Sequence, residues 1–230
     1  MEPFTGNQPA VKNAEVRARI LEIGIIPAVR LSTAEDALFA AEAVSAAGIP
    51  IVEVTITVPA ALDVIQHLTR NKPEVIVGAG SVLDTGWARR CLDAGARFLT
   101  SPGFDKKIVE FAVHEGVLVF PGALTPTEVM AAAKAGADFI KIFPCAQVGG
   151  PSYIKALKAP FPDVPFIAAG GVNQQTAGDF ILAGSSALGI GKDLIHEDAI
   201  KRRDLSWIGE LARRFLRMVR DARVQLGGQP

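Results

Sequence analysis

Ala135-Gly136-Ala137-Asp138-Phe139-Ile140-Lys141-Ile142-Phe143-Pro144 reads as the end of a helix, a tight return on glycine, and a short apolar strand carrying one lysine. Glycine just past a helical pattern is a helix stop signal, and a short run of Ile and Phe bounded by turn residues is a strand signal. The unit recurs. Apolar runs lie at residues 25–30, 51–56, 75–82, 98–103, 117–123, 139–144, 165–171 and 187–194, which makes eight. Between them lie helical patterns at 33–47, 60–70, 85–94, 106–114, 127–135, 152–157 and 174–183. Ala47-Gly48, Ala94-Gly95 and Ala183-Gly184 repeat the return seen at Ala135-Gly136. Alternation this regular implies parallel strands joined by crossover helices. The repeat averages about 23 residues, and eight of them approach the length of a closed eight-stranded (β/α)8 TIM barrel of about 250 residues. That barrel, preceded by an N-terminal helical extension, is the expected fold. A single domain over residues 1–230 with its core at about 20–215 follows, and an open flavodoxin-like sheet is the alternative.

An ammonium inside an apolar strand must be paired, exposed at the strand end, or chemically useful. Burial disfavours the charged form of a lysine, and the free amine attacks carbonyls. Lys141 is therefore a Schiff-base candidate; the competing reading packs its stem and leaves its head in water.

Composition bounds the rest. With 49% hydrophobic residues and 24 basic against 24 acidic side chains, the chain is expected to be a globular protein with a large core and no net charge to attract nucleic acid. No apolar run approaches the roughly 20 residues that span a bilayer, so no membrane partner is expected. The first 13 residues lack the basic flank and apolar stretch of a secretory signal, which points to the cytoplasm. Cys91 and Cys145 are too few for a disulfide framework and lack metal-ligand spacing. His67, His114 and His196 are scattered, so no metal site and no cofactor are expected.

In such barrels chemistry sits at the C-terminal ends of the strands. The polar residues closing the apolar runs are Arg30, Glu53 with Thr55 and Thr57, Ser81, Thr100 and Ser101, Thr125, Lys141, and Lys192 in Gly189-Ile190-Gly191-Lys192-Asp193. Glu53 and Lys141 are ionisable groups in mid-strand, and inward-pointing charges need partners. The two can supply each other, either as a structural pair or as an amine beside a proton-transfer group. Gly170-Gly171 after the seventh run and Gly189-Ile190-Gly191 in the eighth lie where phosphate-binding barrels present backbone N–H groups to an anion. Lys192 adds a cation there, as a ligand or as a solvated loop residue. The basic stretch Lys201-Arg202-Arg203 and the arginines of residues 205–224 accompany Ile208, Leu211, Ala212, Phe215, Val219 and Ala222 at helical spacing, which reads as a closing helix with a solvated basic face.

Phe139-Ile140-Lys141-Ile142-Phe143-Pro144, Val52-Glu53-Val54-Thr55, Val77-Gly78-Ala79-Gly80-Ser81-Val82-Leu83, Ser101-Pro102-Gly103, Phe120-Pro121-Gly122 and Ala169-Gly170-Gly171-Val172 stand in an order and spacing that resembles the 2-keto-3-deoxy-6-phosphogluconate aldolases. That family includes the 4-hydroxy-2-oxoglutarate aldolases and the 2-keto-3-deoxy-6-phosphogalactonate aldolases. The resemblance implies a homotrimeric eight-stranded barrel and a metal-independent class I aldolase, which splits a 2-keto-3-deoxy sugar acid phosphate into pyruvate and glyceraldehyde 3-phosphate.

By the same resemblance, Lys141 is the Schiff-base lysine and Glu53 the general acid/base. Ser81 replaces the hydroxyl, usually Thr, that helps hold the pyruvate carboxylate, with Arg30 as a partner there. Pro102, Pro121 and Phe143 line the pyruvate pocket, and Gly170 and Gly171 bind phosphate. Thr57 stands where the gluconate branch has an arginine, and Lys192 where it has a phosphate-binding serine; Gly189-Ile190-Gly191-Lys192-Asp193-Leu194 is closer to the galactonate branch. Thr55 and Gly191 complete the substrate-binding set. The alternatives are an aldolase for 4-hydroxy-2-oxoglutarate or an unphosphorylated acid, a noncovalent phosphate-binding isomerase or synthase on the same barrel, or a binding protein without turnover.

Overall fold

The computed structural model describes residues 11–227. Of the tail Gly227-Gly228-Gln229-Pro230, whose composition reads as loose, residues 228–230 lie outside the described residues, as do the first ten. In chain order the elements are α1 (Val11–Ile23), β1 (Ile25–Val29), α2 (Ala34–Ala46), β2 (Ile51–Thr55), α3 (Ala61–Asn71), β3 (Ile76–Gly80), α4 (Thr85–Asp93), β4 (Phe98–Thr100), α5 (Lys106–His114), β5 (Leu118–Phe120), β6 (Gly122–Ala123), α6 (Pro126–Lys134), β7 (Ile140–Ile142), a 3-10 turn (Ala146–Val148), α7 (Pro151–Lys158), β8 (Phe166–Ala169), α8 (Ala177–Leu182), β9 (Ser185–Ile190), α9 (Glu197–Lys201) and α10 (Leu205–Gln225).

All pairings are parallel, in the order β5-β4-β3-β2-β1-β9-β8-β7-β6. Nine segments appear where the pattern of apolar runs gives eight, because Pro121 divides the fifth run. Proline has no N–H to donate to a ladder. Its carbonyl still accepts from Lys141 N at 2.9 Å, so β5 and β6 are two halves of one stave. The first half pairs with β4 and the second with β7, which closes the ring. The first strand lies between β2 and the last strand β9, an arrangement a flavodoxin-like sheet does not have.

The interior is filled by Ile26, Ile51, Phe98, Leu118, Phe120, Phe139, Ile167 and Ala187, with Val16 and Ile20 of α1 packed beneath. Phe98 stacks on Phe120 with centroids 5.1 Å apart, and Phe120 meets Phe139 edge-on at 5.0 Å. Such aromatic geometry adds about 0.5–1.5 kcal/mol beyond the area buried. Gly78 makes room for it: a Cβ there would lie 2.1 Å from the Phe98 ring.

A second apolar layer lies between staves and helices. The predicted stripe Ile208, Leu211, Ala212, Phe215, Val219 and Ala222 of α10 is buried in it, so this is a closing helix. Thr33, Asp84 and Asp105 cap α2, α4 and α5, and Thr125 forms a capping box with Glu128 on α6. Gly48, Gly95, Gly136 and Gly184 all adopt φ between +95° and +104°, the left-handed return expected of the Ala-Gly pairs. The helix expected at 174–183 begins only at Ala177, because Asn173 Oδ1 accepts from Gln175 N and Thr176 N and holds a turn there. The last apolar run, expected at 187–194, is a strand over Ser185–Ile190.

Candidate active site

The register sets which side chains meet inside the barrel. Glu53 is level with Gly78 on the ladder to β3, and Ala79 pairs with Leu99 on β4. In a barrel of this class a layer normal to the axis steps away from the ladder by about one residue per strand. Two staves on from Glu53, its layer therefore meets β4 at Thr100. The pairs Thr100 with Phe120 and Gly122 with Lys141 carry it to Lys141. The pairs Lys141 with Ile167 and Ile167 with Ala187 carry it to Gly189, and those of β9, β1 and β2 return it to Glu53. Glu53, Thr100, Lys141 and Gly189 thus form one layer contributed by alternate staves, above the Phe-rich interior.

Lys141 Nζ lies 3.4 Å from Glu53 Oε1, with the two side chains 13% and 5% exposed. Among the described residues this is the ion pair with the least exposed partners. The amine is also 5.6 Å from the centroid of the Phe143 ring, within cation–π range. Gly80 admits the carboxylate: a Cβ there would lie 2.2 Å from Glu53 Oε1. That role was not read from the sequence, where the signal is glycine at alternate positions of one strand, Gly78 and Gly80.

At the rim beyond β1 and β3, Arg30 Nη2 donates to Ser81 Oγ at 3.3 Å. Ser81 adopts φ +61°, which turns the chain over the barrel mouth. Thr55 is fully buried and donates to the Val29 carbonyl at 3.1 Å; its oxygen is 2.8 Å from that of the exposed Thr57. Pro121 is buried, while Pro102 is exposed and its carbonyl passes 2.1 Å from where a Gly122 Cβ would be.

Gly170 and Gly171 adopt φ +84° and +90°. A Cβ at Gly170 would lie 2.8 Å from Pro144 Cα, and one at Gly171 2.3 Å from Ala146 Cβ. Both positions therefore exclude any side chain. Gly191 differs: an added Cβ there would meet only the Ala28 carbonyl at 3.8 Å, an ordinary contact. Lys192 is exposed on the same loop. Two further polar residues from the strand ends serve the scaffold, Thr125 as the α6 cap and Ser101 by donating to the Gly103 carbonyl at 2.7 Å.

Cys145 is buried under this loop, its Sγ 3.5 Å from the Gly170 carbonyl, and desolvation pushes its thiol up to about 11. Cys91 is likewise buried and pushed up to about 11, so both are thiols at neutral pH. Among the described residues no three His, Cys, Asp or Glu side chains come together as metal ligands, and no helix is long and apolar enough to cross a membrane. A cavity of about 650 Å³ opens beside α1 and α10, lined by Glu22, Arg213, Arg217, Arg220 and Arg223. Arg223 there donates to the carbonyls of Leu21, Glu22 and Ser186, tying α10 to the end of α1.

Known proteins are similar to this chain in sequence and in shape. A 2-dehydro-3-deoxy-phosphogluconate aldolase of Pseudomonas aeruginosa is 30% identical over 205 residues, 89% of this chain and 93% of its own. A probable 2-dehydro-3-deoxy-6-phosphogalactonate aldolase of Rhizobium meliloti is 36% identical over 149 residues, 64% of this chain and 70% of its own. The crystal structure of a Legionella pneumophila KDPG aldolase, with pyruvate captured as a covalent carbinolamine, superposes with a TM-score of 0.80 at 32% identity, covering 85% of this chain and 95% of that one. The family model for KDPG and KHG aldolase matches residues 16–211, from within the helix beneath the barrel to the first two turns of the closing helix. The chain belongs to the KDPG and KHG aldolase family.

Proposed function

We propose that this chain is a class I aldolase that cleaves a 2-keto-3-deoxy-6-phospho sugar acid, of gluconate or galactonate stereochemistry, to pyruvate and glyceraldehyde 3-phosphate. The observation that carries this reading is the Lys141–Glu53 pair, one amine against one carboxylate 3.4 Å apart at the mouth end of the barrel interior. Glu53 takes a proton from the Lys141 ammonium, and the free amine adds to the C2 carbonyl. Glu53 returns that proton to the carbinolamine hydroxyl, which leaves as water and gives an iminium. The C3–C4 bond then breaks, its electron pair moving into the iminium to give an enamine while Glu53 accepts the C4 hydroxyl proton. The aldehyde leaves, the enamine takes that proton from Glu53 at C3, and water hydrolyses the iminium to pyruvate and the Lys141 ammonium. The carbinolamine captured in the Legionella relative is the first intermediate of this sequence.

Arg30 and Ser81 hold the pyruvate carboxylate by charge-assisted hydrogen bonds. Phe143, Pro121 and Pro102 shield the iminium, and Thr55 and Thr57 face the substrate beyond Glu53. The Gly170-Gly171 amides take the phosphate, with Gly191 and Lys192 on the neighbouring loop. The reading includes a homotrimer in the cytoplasm; one neighbour at TM-score 0.81 belongs to a protein cage designed by fusing symmetric oligomeric domains.

The test is incubation with pyruvate and borohydride followed by intact-mass and peptide mass spectrometry. One reduced pyruvate on Lys141 is expected in the wild type and none in Lys141→Ala. No adduct in folded wild-type protein would remove the Schiff base and leave a noncovalent reaction in the same barrel.

A further inference from the structure

Thr100 is 2% exposed, and its Oγ1 is one of two buried side-chain polar atoms without a hydrogen-bond partner among the described residues. A buried hydroxyl left unpaired destabilises the fold, and a valine of the same shape avoids that cost. The side chain belongs to the layer of Glu53 and Lys141. Ala79 pairs with Leu99, so Gly80 and Thr100 are interior neighbours across the β3–β4 ladder. The Glu53 carboxylate lies directly over Gly80, where a Cβ would be 2.2 Å from Oε1. The unpaired hydroxyl therefore stands on the strand next to the one the carboxylate covers. The fourth member of the layer, Gly189, has no side chain to donate.

In the free chain the carboxylate is held by the Lys141 ammonium at 3.4 Å. Once that nitrogen carries the substrate as an iminium it has at most one proton left to offer. The Thr100 hydroxyl is the other interior side-chain donor of this layer. We propose that Thr100 is a positioning residue for Glu53, donating a hydrogen bond to its carboxylate while the Lys141 nitrogen is bonded to substrate, and so aiming Glu53 at the C4 hydroxyl. This rests on the aldolase reading above. Thr100 transfers no proton; it acts through Glu53.

The test compares Thr100→Val, Thr100→Ser, Glu53→Gln and the double variant Thr100→Val with Glu53→Gln in retro-aldol kinetics, with borohydride trapping of pyruvate and thermal unfolding of each. Loss of one hydrogen bond to a charged group predicts a kcat about 10- to 100-fold lower for Thr100→Val with KM within about twofold. Thr100→Ser should recover to within about threefold. Adding Thr100→Val to Glu53→Gln should slow it by no more than about twofold, because both act on one step. Removal of the unpaired hydroxyl should raise the melting temperature of Thr100→Val by a few degrees. Unchanged kcat in Thr100→Val, an equal loss in Thr100→Ser, a full multiplicative loss in the double variant, or a lower melting temperature would each overturn the proposal. Wild type that traps pyruvate with Thr100→Val at full kcat sinks this proposal alone. Wild type that traps no pyruvate sinks the aldolase reading first and this one with it.

Discussion

Gly80 has no side chain, and the Glu53 carboxylate occupies the place where one would be, with a Cβ at position 80 falling 2.2 Å from Glu53 Oε1. The glycine and the glutamate are a matched pair, one yielding the volume that the other fills. Gly80→Ala is expected to push the carboxylate away from Lys141 and lower kcat by about 100-fold, the scale of misplaced acid–base assistance. Pyruvate trapping on Lys141 should survive, since the amine is untouched. Full kcat in Gly80→Ala would show that the carboxylate has room to spare.

Glu53→Gln keeps the shape and removes proton transfer. Its kcat is expected to fall about 100- to 10,000-fold with KM changed by no more than a few fold. Steady-state kinetics decides this: a large rise in KM with kcat intact would make Glu53 a binding group.

The Gly170-Gly171 turn gives a test of phosphate recognition. Gly171 has φ +90°, and a Cβ would meet Ala146 Cβ at 2.3 Å, so Gly171→Ala must move the loop. If its amides hold the phosphate, KM for the phosphorylated substrate should rise at least about 10-fold, the value of one charge-assisted hydrogen bond. The kcat/KM of the unphosphorylated acid should change little. An equal loss on both substrates would assign the turn to the scaffold alone.

Asp138, just before β7, supplies a pH test of stability. Burial pushes its carboxyl up to about 6, against the opposing effects of the hydrogen bond accepted from Val119 N at 3.0 Å and of the Arg17 charge. A carboxyl raised in the folded state binds more protons folded than unfolded, so stability is lost as pH climbs from about 4 to about 6 and is level above that. Asp138→Asn carries no charge to desolvate and can still accept from Val119 N. Denaturant unfolding should find the two proteins similar at pH 4 and the variant more stable by about 1–3 kcal/mol at pH 7.5. A variant less stable at pH 7.5 would mean that the charged form is the favoured one.

Much of this architecture was legible along the chain because strand and helix periods are local properties. Apolar runs of Val, Ile and Phe marked the staves, and Ala-Gly pairs marked the returns. Lys141 and Glu53 stood out because a charge in an apolar strand needs a partner, and the fold provides it. Pro121 was visible as a proline in a strand, but its effect, one stave in two halves with the ladder passing through its carbonyl, depends on which neighbours lie on each side. Thr100 and Thr125 looked alike as hydroxyls ending their runs. One caps a helix and the other is buried without a partner, a difference that only the facing elements create.

The sequence by itself determined the alternation of strand and helix and the residue types able to do carbonyl chemistry, since each of these is written in neighbours a few positions apart; closure into a barrel rests on β1 pairing with both β2 and β9. The tertiary structure alone decided that Glu53, Thr100, Lys141 and Gly189 share one layer and that Gly80 yields its space to a carboxylate. Those relations depend on strand register. A shift of one residue between staves would turn each of these side chains from the interior to the outer face, and no local pattern specifies the register between residues 88 positions apart.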